Sequence, residues 1–229
     1  MTKQYDVIII GTGAATIIAD AALRQNLHIA IIERGPFGGT CLNRGCIPTK
    51  VMVTAANAVR DIAHSRHIGV IADHVRLDWQ TMSQRLWKKV RENEGIKTYY
   101  AQFPHIDIYE GTASFCQPKT LTVTLHDGTV QQLQGEKIFI GAGAHTFIPS
   151  LPGLDDAGYI TSETLFGSAY PQQPYRSLII IGGGPIGCEF AHVFSTAGTR
   201  VTLIQHNVRL LPKEDEDISA FLLQQFQHA

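Results

Sequence analysis

Two glycine-rich turns constrain this chain more than any other feature. Gly11-Thr12-Gly13-Ala14-Ala15-Thr16 follows the apolar run Val7 to Ile10 and opens a helical stretch over 14–25, after which a second apolar run ends in Glu33. The order returns from Leu178, with an apolar run to Ile181, Gly182 to Gly187, a helical stretch over 188–197, and Val201 to Gln205. Apolar strand, glycine turn, helix and second strand make a βαβ opening. Two such openings predict an α/β fold with one Rossmann-like domain following another. Between them 51–64 and 79–101 read as helical, while 106–110, 120–125 and 129–133 read as strands of an inserted β-meander. Asp127-Gly128 supplies the hairpin turn. The apolar 138–140 runs into Gly141-Ala142-Gly143, and Pro149, Pro152 and Gly153 mark a boundary near residue 150. The expected domains are therefore 1–150 and 151–229, and the second is expected to be incomplete.

With 44% hydrophobic and 17% charged residues among 229, the chain has apolar material for one large core or two small ones. A formal net charge of -1 excludes the basic excess that binds nucleic acid or an anionic membrane by counterion release. No apolar stretch reaches the roughly 18 residues of a membrane span, and the opening segment lacks a signal peptide's apolar region and cleavage site. A cytoplasmic protein is expected. Four cysteines are too few for a disulfide-stapled secreted scaffold.

The glycines of Gly11-Thr12-Gly13 suit a tight turn and close backbone approach to a pyrophosphate at the N-terminus of the next helix. Glu33 lies 22 residues after Gly11, where an acidic side chain bonds ribose hydroxyls. The alternative is a glycine turn that opens a helix for structural reasons alone.

Cys41 and Cys46 stand five positions apart in Gly38-Gly39-Thr40-Cys41-Leu42-Asn43-Arg44-Gly45-Cys46-Ile47-Pro48-Thr49-Lys50. Two thiols so spaced at the start of a helix can close a local disulfide, and a helix N-terminus would lower a thiolate's pKa and favour exchange. Inert buried thiols are the plain alternative. A zinc site would want closer pairs, and neither Cys116 nor Cys188 has a partner at such spacing. A purely structural disulfide conflicts with a reducing cytoplasm.

Those thirteen residues closely resemble the active-site signature of the class I pyridine nucleotide-disulfide oxidoreductases, the family of dihydrolipoamide dehydrogenase and of glutathione, mycothione and mercuric reductases. The resemblance runs through the whole chain, including Tyr109 to Phe115, Ile138 to Gly143 and Thr161-Ser162-Glu163. It implies an FAD-binding first domain and an NAD(P)-binding second one. Cys41 matches the interchange thiol and Cys46 the thiolate facing the flavin, while Lys50 matches a lysine near the flavin ring that pairs with a glutamate, here Glu189. For FAD the resemblance implies Gly11, Gly13, Ala14, Glu33, Arg34, Gly39, Thr40, Lys50, Ala113, Ala142 and Gly143. Two departures stand out: Thr16 replaces the third glycine of the first turn, and Gly141-Ala142-Gly143 replaces Ala-Thr-Gly.

Gly182-Gly183-Gly184-Pro185-Ile186-Gly187 is a full G-x-G-x-x-G between a strand and a helix. It resembles the NADH or NADPH site of the family, implying Gly182, Gly184, Ile186, Gly187 and Gln205 as nucleotide-binding residues. Relatives using NADH generally carry glutamate in place of Gln205, and those using NADPH carry arginines just beyond it, where this chain has His206, Asn207, Val208 and Arg209. The reading leans to NADH, with Arg209 or Lys213 as partners for a 2′-phosphate otherwise. The resemblance also implies a homodimer and a C-terminal His-Glu dyad, for which none of the ten histidines, His192, His206 and His228 included, stands in a suitable motif.

The expected activity is electron transfer between NAD(P)H, flavin and a Cys41–Cys46 disulfide, dihydrolipoamide dehydrogenase-like, with a small-molecule disulfide, dithiol or metal ion as substrate. The rival is a flavin-binding or interaction module without turnover. A monooxygenase sharing only the glycine turns is opposed by Cys41 to Lys50.

Overall fold

A computed structural model describes residues 2–227, so His228 lies outside the described residues. In chain order the elements are β1 (Lys3–Ile10), α1 (Thr16–Leu23), β2 (Ile29–Glu33), α2 (Gly39–Arg44), α3 (Cys46–His64), a 3-10 turn (Ser65–Ile68), α4 (Trp79–Arg91) and α5 (Glu94–Ala101). They continue as β3 (Ile106–Gln117), β4 (Thr120–Leu125), β5 (Val130–Ile140), α6 (Leu154–Ala157), α7 (Ser162–Leu165), β6 (Ser177–Ile181), α8 (Pro185–Thr196), β7 (Arg200–Ile204) and α9 (Glu216–Gln227). Packing divides the chain into two compact units, residues 1–46 with 89–163 and residues 47–88 with 164–229.

In the first unit β3, β2, β1 and β5 pair in parallel, in that order, with Ile8 beside Ala30 on one side and Ile138 on the other. Beyond this sheet β3 and β5 continue and pair antiparallel with β4, Ala113 opposite Val123 and Leu121 opposite Leu133. The five strands thus close a circuit.

Successive residues of β1 alternate between faces. Val7 and Ile9 pack with Ile29, Ile31, Ala19, Ala22 and Tyr100 on the helical side, while Ile8 packs with Ala30, Ile32, Leu121, Val123 and Leu133 on the meander side. Both faces are buried, which is why β1 and β2 read as continuous apolar runs. Each fully buried aliphatic side chain here contributes about 1.5–3 kcal/mol.

Three sequence expectations need correction. The strand expected over 106–110 runs on to Gln117, and 129–133 and 138–140 are parts of one strand, β5. Gly111 and Gly135 lie inside these strands. A Cβ on Gly111 would stand 2.2 Å from the Thr124 carbonyl oxygen, and one on Gly135 would stand 2.8 Å from the Ile8 side chain. Glycine in a strand here marks a close approach rather than an end. The helix expected over 79–101 is two helices, broken at Glu92-Asn93, where Asn93 turns its side-chain amide onto the Leu42 carbonyl at 3.0 Å.

In the second unit β6 and β7 pair in parallel, Leu178 beside Val201, with α8 against both. An aromatic core surrounds Phe194, which is fully buried: Trp79 lies 5.4 Å and Tyr175 5.5 Å from it, centroid to centroid. The Trp79 indole N–H donates to the Pro171 carbonyl at 3.0 Å, which satisfies its one polar atom. Among the described residues no helix is long and apolar enough to cross a membrane, and no group of three or more His, Cys, Asp or Glu is placed to hold a metal ion.

Candidate functional site

In the first unit the C-terminal end of β1 leads into Gly11, whose positive φ of 96° glycine adopts without steric cost. A Cβ there would stand 2.2 Å from the Gly141 carbonyl oxygen. Gly39 closes from another side: at φ 63°, its Cβ would stand 2.6 Å from the Gly13 Cα. Three segments, Gly11–Gly13, Gly38–Gly39 and Gly141–Gly143, therefore meet backbone to backbone. Side chains would fill this cradle.

Thr12 ties the cradle together. Its hydroxyl donates to Glu33 Oε2 at 2.6 Å and accepts the Gly38 N–H at 3.1 Å, while its own N–H donates to the same Glu33 oxygen at 2.8 Å. Glu33 Oε1 accepts the Gly35 N–H at 2.8 Å. The expected ribose acceptor thus also fixes the turn and the loop after β2. Neither Thr12 nor the buried Asn43 was singled out from the sequence. Asn43 donates to the Phe37 and Gly39 carbonyls at 2.8 and 3.0 Å, fixing the loop that carries Gly39. The available signal was a polar side chain at an interior position of each motif, which burial alone makes informative.

Cys41 is the third residue of α2 and Cys46 the first of α3. Between them Gly45 folds the backbone back so tightly that a Cβ would stand 3.0 Å from the Thr40 carbonyl oxygen and 3.4 Å from the Cys41 Cα. Both thiols are free and exposed. The Cys41 thiol is pushed up from its ordinary value, chiefly because its S–H is held by the Cys46 side chain and next by burial. For Cys41 this corrects the expectation of a helix-lowered pKa. It sits within a six-residue helix beside a second sulfur, not at the opening of the long one.

The remaining candidates are placed as follows. Ala14, Arg34, Thr40, Ala142 and Gly143 are exposed. Gly143 has a positive φ of 76° and open space where a Cβ would stand. Ala113 stands apart on the antiparallel part of β3, packed against the meander-side core. In the second unit Lys50 of α3 and Glu189 of α8 form an ion pair, as the motif reading expected, and both are partly exposed.

The second turn repeats the first. Gly182 N–H donates to the Ile204 carbonyl at 2.8 Å, as Gly11 N–H does to that of Ile32 at 2.8 Å. Gly183 N–H donates to Gln205 Oε1 at 2.7 Å, matching Thr12 N–H on Glu33. A Cβ on Gly187 would stand 1.9 Å from the Gly182 carbonyl oxygen, so the third glycine is required, while Gly184 faces open space. Ile186 is exposed at the second position of α8.

Comparison with known proteins matches residues 5–229 to the model of the pyridine nucleotide-disulphide oxidoreductases. The chain belongs to that family. It is 34% identical over 215 residues to dihydrolipoyl dehydrogenase of Bacillus subtilis, covering 92% of this chain and 46% of the relative. It is 36% identical over 219 residues to mercuric reductase of Streptomyces lividans, covering 94% and 45%, and 34% identical over 218 residues to mycothione reductase of Mycobacterium tuberculosis, covering 94% and 47%. Among solved structures, the Cu(II) complex of the HOCl-induced flavoprotein disulfide reductase RclA from Escherichia coli superposes with a TM-score of 0.82 at 31% identity, covering 100% of this chain and 48% of that one. The chain spans about half the length of these relatives. FAD and a pyridine nucleotide are the family's cofactors, and the residues present fit a dinucleotide at each turn, where Gly143 at the first and Gly182 and Gly184 at the second leave open space where a side chain would stand.

Proposed function

We propose that this chain is the flavin-bearing and redox-disulfide part of a dihydrolipoamide dehydrogenase-like oxidoreductase, which passes electrons between NADH or NADPH and a small-molecule disulfide, dithiol or metal ion. The observation that carries this reading is the Cys41–Cys46 pair: two free, exposed thiols on the segment whose Gly39 closes the first glycine turn. Residues 1–150 form the FAD-binding domain with the redox pair, and 151–229 the first part of the nicotinamide-binding domain. The protein works in the cytoplasm as a homodimer. Relatives named for dihydrolipoyl, mercuric and mycothione chemistry support the substrate range.

When bound, FAD supplies a two-electron carrier between the nicotinamide and the disulfide. The chain's own part is to hold and to switch. Gly11, Gly13, Gly39 and Gly143 admit the pyrophosphate backbone to backbone, with Ala14, Arg34, Thr40 and Ala142 around them, Glu33 offers its carboxylate to the ribose, and Ala113, apart on β3, is the further residue proposed to line the cofactor. Two electrons break the Cys41–Cys46 bond, and two protons complete the thiols. The Cys41 thiol is raised from its ordinary value, chiefly by its hydrogen bond with the Cys46 side chain and next by burial. Lys50, paired with Glu189, supplies positive charge at the start of α3. Gly182, Gly184, Ile186, Gly187 and Gln205 receive the nicotinamide nucleotide.

The test is a visible spectrum of the purified chain after incubation with FAD, recorded anaerobically before and after dithionite, with thiols counted at each stage. The expected result is a yellow protein that gains two titratable thiols on two-electron reduction, a gain abolished by Cys41→Ser. A protein that stays colourless with excess FAD overturns the reading.

A further inference from the structure

We infer that Gln205 makes the second glycine turn accept NADH and NADPH with nearly equal affinity. The inference rests on the reading of that turn as the nicotinamide site and names the residues that set its choice. Discrimination at a Rossmann turn comes from the end of the second strand: a carboxylate bonds the ribose 2′-hydroxyl and repels a 2′-phosphate, or a nearby arginine accepts the phosphate. This turn has neither arrangement.

The first unit shows what a carboxylate does at this position, since Glu33 accepts the Thr12 N–H and hydroxyl and the Gly35 N–H. Gln205 stands in the same place, one residue beyond β7, and its Oε1 accepts the Gly183 N–H at 2.7 Å. That bond uses the amide oxygen to hold the turn. It leaves the Nε2 amide as a neutral donor, and a donor serves a ribose hydroxyl and a phosphate oxygen alike. No charge at Gln205 opposes the phosphate, which carries close to two negative charges.

Of the two cations that could select the phosphate, Lys213 is an exposed point charge without the planar fork of a guanidinium, and Arg209 is engaged elsewhere. Arg209 Nη1 pairs with Glu216 Oε1 at 2.8 Å, and its Nη2 donates to the carbonyls of Pro212 at 3.4 Å and Glu214 at 3.2 Å. Three contacts fix Arg209 to the segment entering α9. Arg176 and Arg200 lie at the opposite ends of the strands, before β6 and at the first residue of β7.

Titration of the chain with each nucleotide, followed by quenching of tryptophan fluorescence and by calorimetry, reads affinity without turnover. The expected result is dissociation constants for NADH and NADPH within about threefold of each other. In Gln205→Glu, NADPH affinity falls at least tenfold relative to NADH affinity. In Glu216→Gln, which removes one of the three contacts and frees the Nη1 of Arg209, NADPH gains over NADH. A tenfold or greater preference in the unaltered chain overturns the inference and leaves the nicotinamide site standing, as does a Gln205→Glu protein of unchanged far-ultraviolet dichroism that keeps its NADPH affinity relative to NADH. Binding of neither nucleotide overturns the nicotinamide reading itself, and the inference with it.

Discussion

Gly141 faces Ala15 so closely that a methyl group on Gly141 would stand 2.5 Å from the Ala15 Cβ. This contact links the two departures of the first turn from the family pattern. Where the second turn has Gly187, packed against the Gly182 carbonyl, the first has Thr16, whose hydroxyl donates to the Gly13 carbonyl at 2.9 Å. The helix after the second turn opens with a bond from Cys188 N–H to the carbonyl four residues back, at Gly184. Thr16, Ile17 and Ile18 instead donate to carbonyls three residues back, a tighter 3-10 opening. Ala15 in that opening turn lies against Gly141, and the smallest residue there makes the contact possible.

Gly141→Ala is therefore expected to destabilise the first unit by about 1–3 kcal/mol, the usual cost of an added methyl in a filled space. Ala15→Gly should recover most of that loss in the double variant while costing little alone. Urea midpoints of the four proteins give the coupling. Additive effects would mean that Ala15 and Gly141 do not share the space.

Thr12→Val keeps the shape of the side chain and removes its hydroxyl, leaving the buried Gly38 N–H without its acceptor and Glu33 with two of its three donors, the Thr12 and Gly35 N–H groups. A loss of about 1–3 kcal/mol is expected, and FAD affinity should fall with it. Thr12→Ser retains both bonds and should remain within about 1 kcal/mol of the parent. Equal losses in the two variants would assign the effect to packing rather than to the bonds.

Much of this architecture was readable from residues. Each βαβ unit was marked by apolar runs at Val7 to Ile10 and Leu178 to Ile181 against glycine turns; in β1 the run is uninterrupted because the strand is buried on both faces, whereas in β6 Ile179 and Ile181 are exposed. The same rule hid the length of β3 and β5, where Gly111 and Gly135 answer to neighbours distant in sequence. It also hid Asn93, whose partner Leu42 lies 51 positions away. At the site, glycines and cysteines were legible because their chemistry is local. Thr12 and Asn43 were not, since a hydroxyl or amide reveals its role only when its partners are known.

His192 offers a pH test within the second unit. Its Nε2 lies 2.7 Å from Asn57 Oδ1, and burial, followed by the charge of Arg60, holds its imidazole below the usual 6.5. The unfolded chain then takes up this proton more readily than the folded one as pH falls through 6.5. The contribution of neutral His192 is complete above that value and is lost as pH falls toward the lower folded pKa. Between pH 7 and 5.5 the parent is expected to lose more stability than His192→Gln, by a slope below about 1.4 kcal/mol per pH unit. Parallel slopes from urea unfolding would exclude His192 as the titrating group.

The same logic of a held proton applies to the redox pair. Only the thiolate alkylates, so the reduced chain's Cys41 should react with iodoacetamide at a rate whose pH midpoint lies above the ordinary thiol range, since its S–H is held first by the Cys46 side chain and then by burial. Cys46→Ala removes the larger cause and should bring the Cys41 midpoint down, so that at pH 8 Cys41 reacts faster in the variant than in the parent. The direction is diagnostic, because a helix dipole acting alone on Cys41 would depress the midpoint in both proteins and leave no difference. Site-resolved mass spectrometry after timed alkylation separates Cys41 from the exposed Cys116 and the buried Cys188. An unchanged midpoint in Cys46→Ala would show that the second sulfur does not hold the proton.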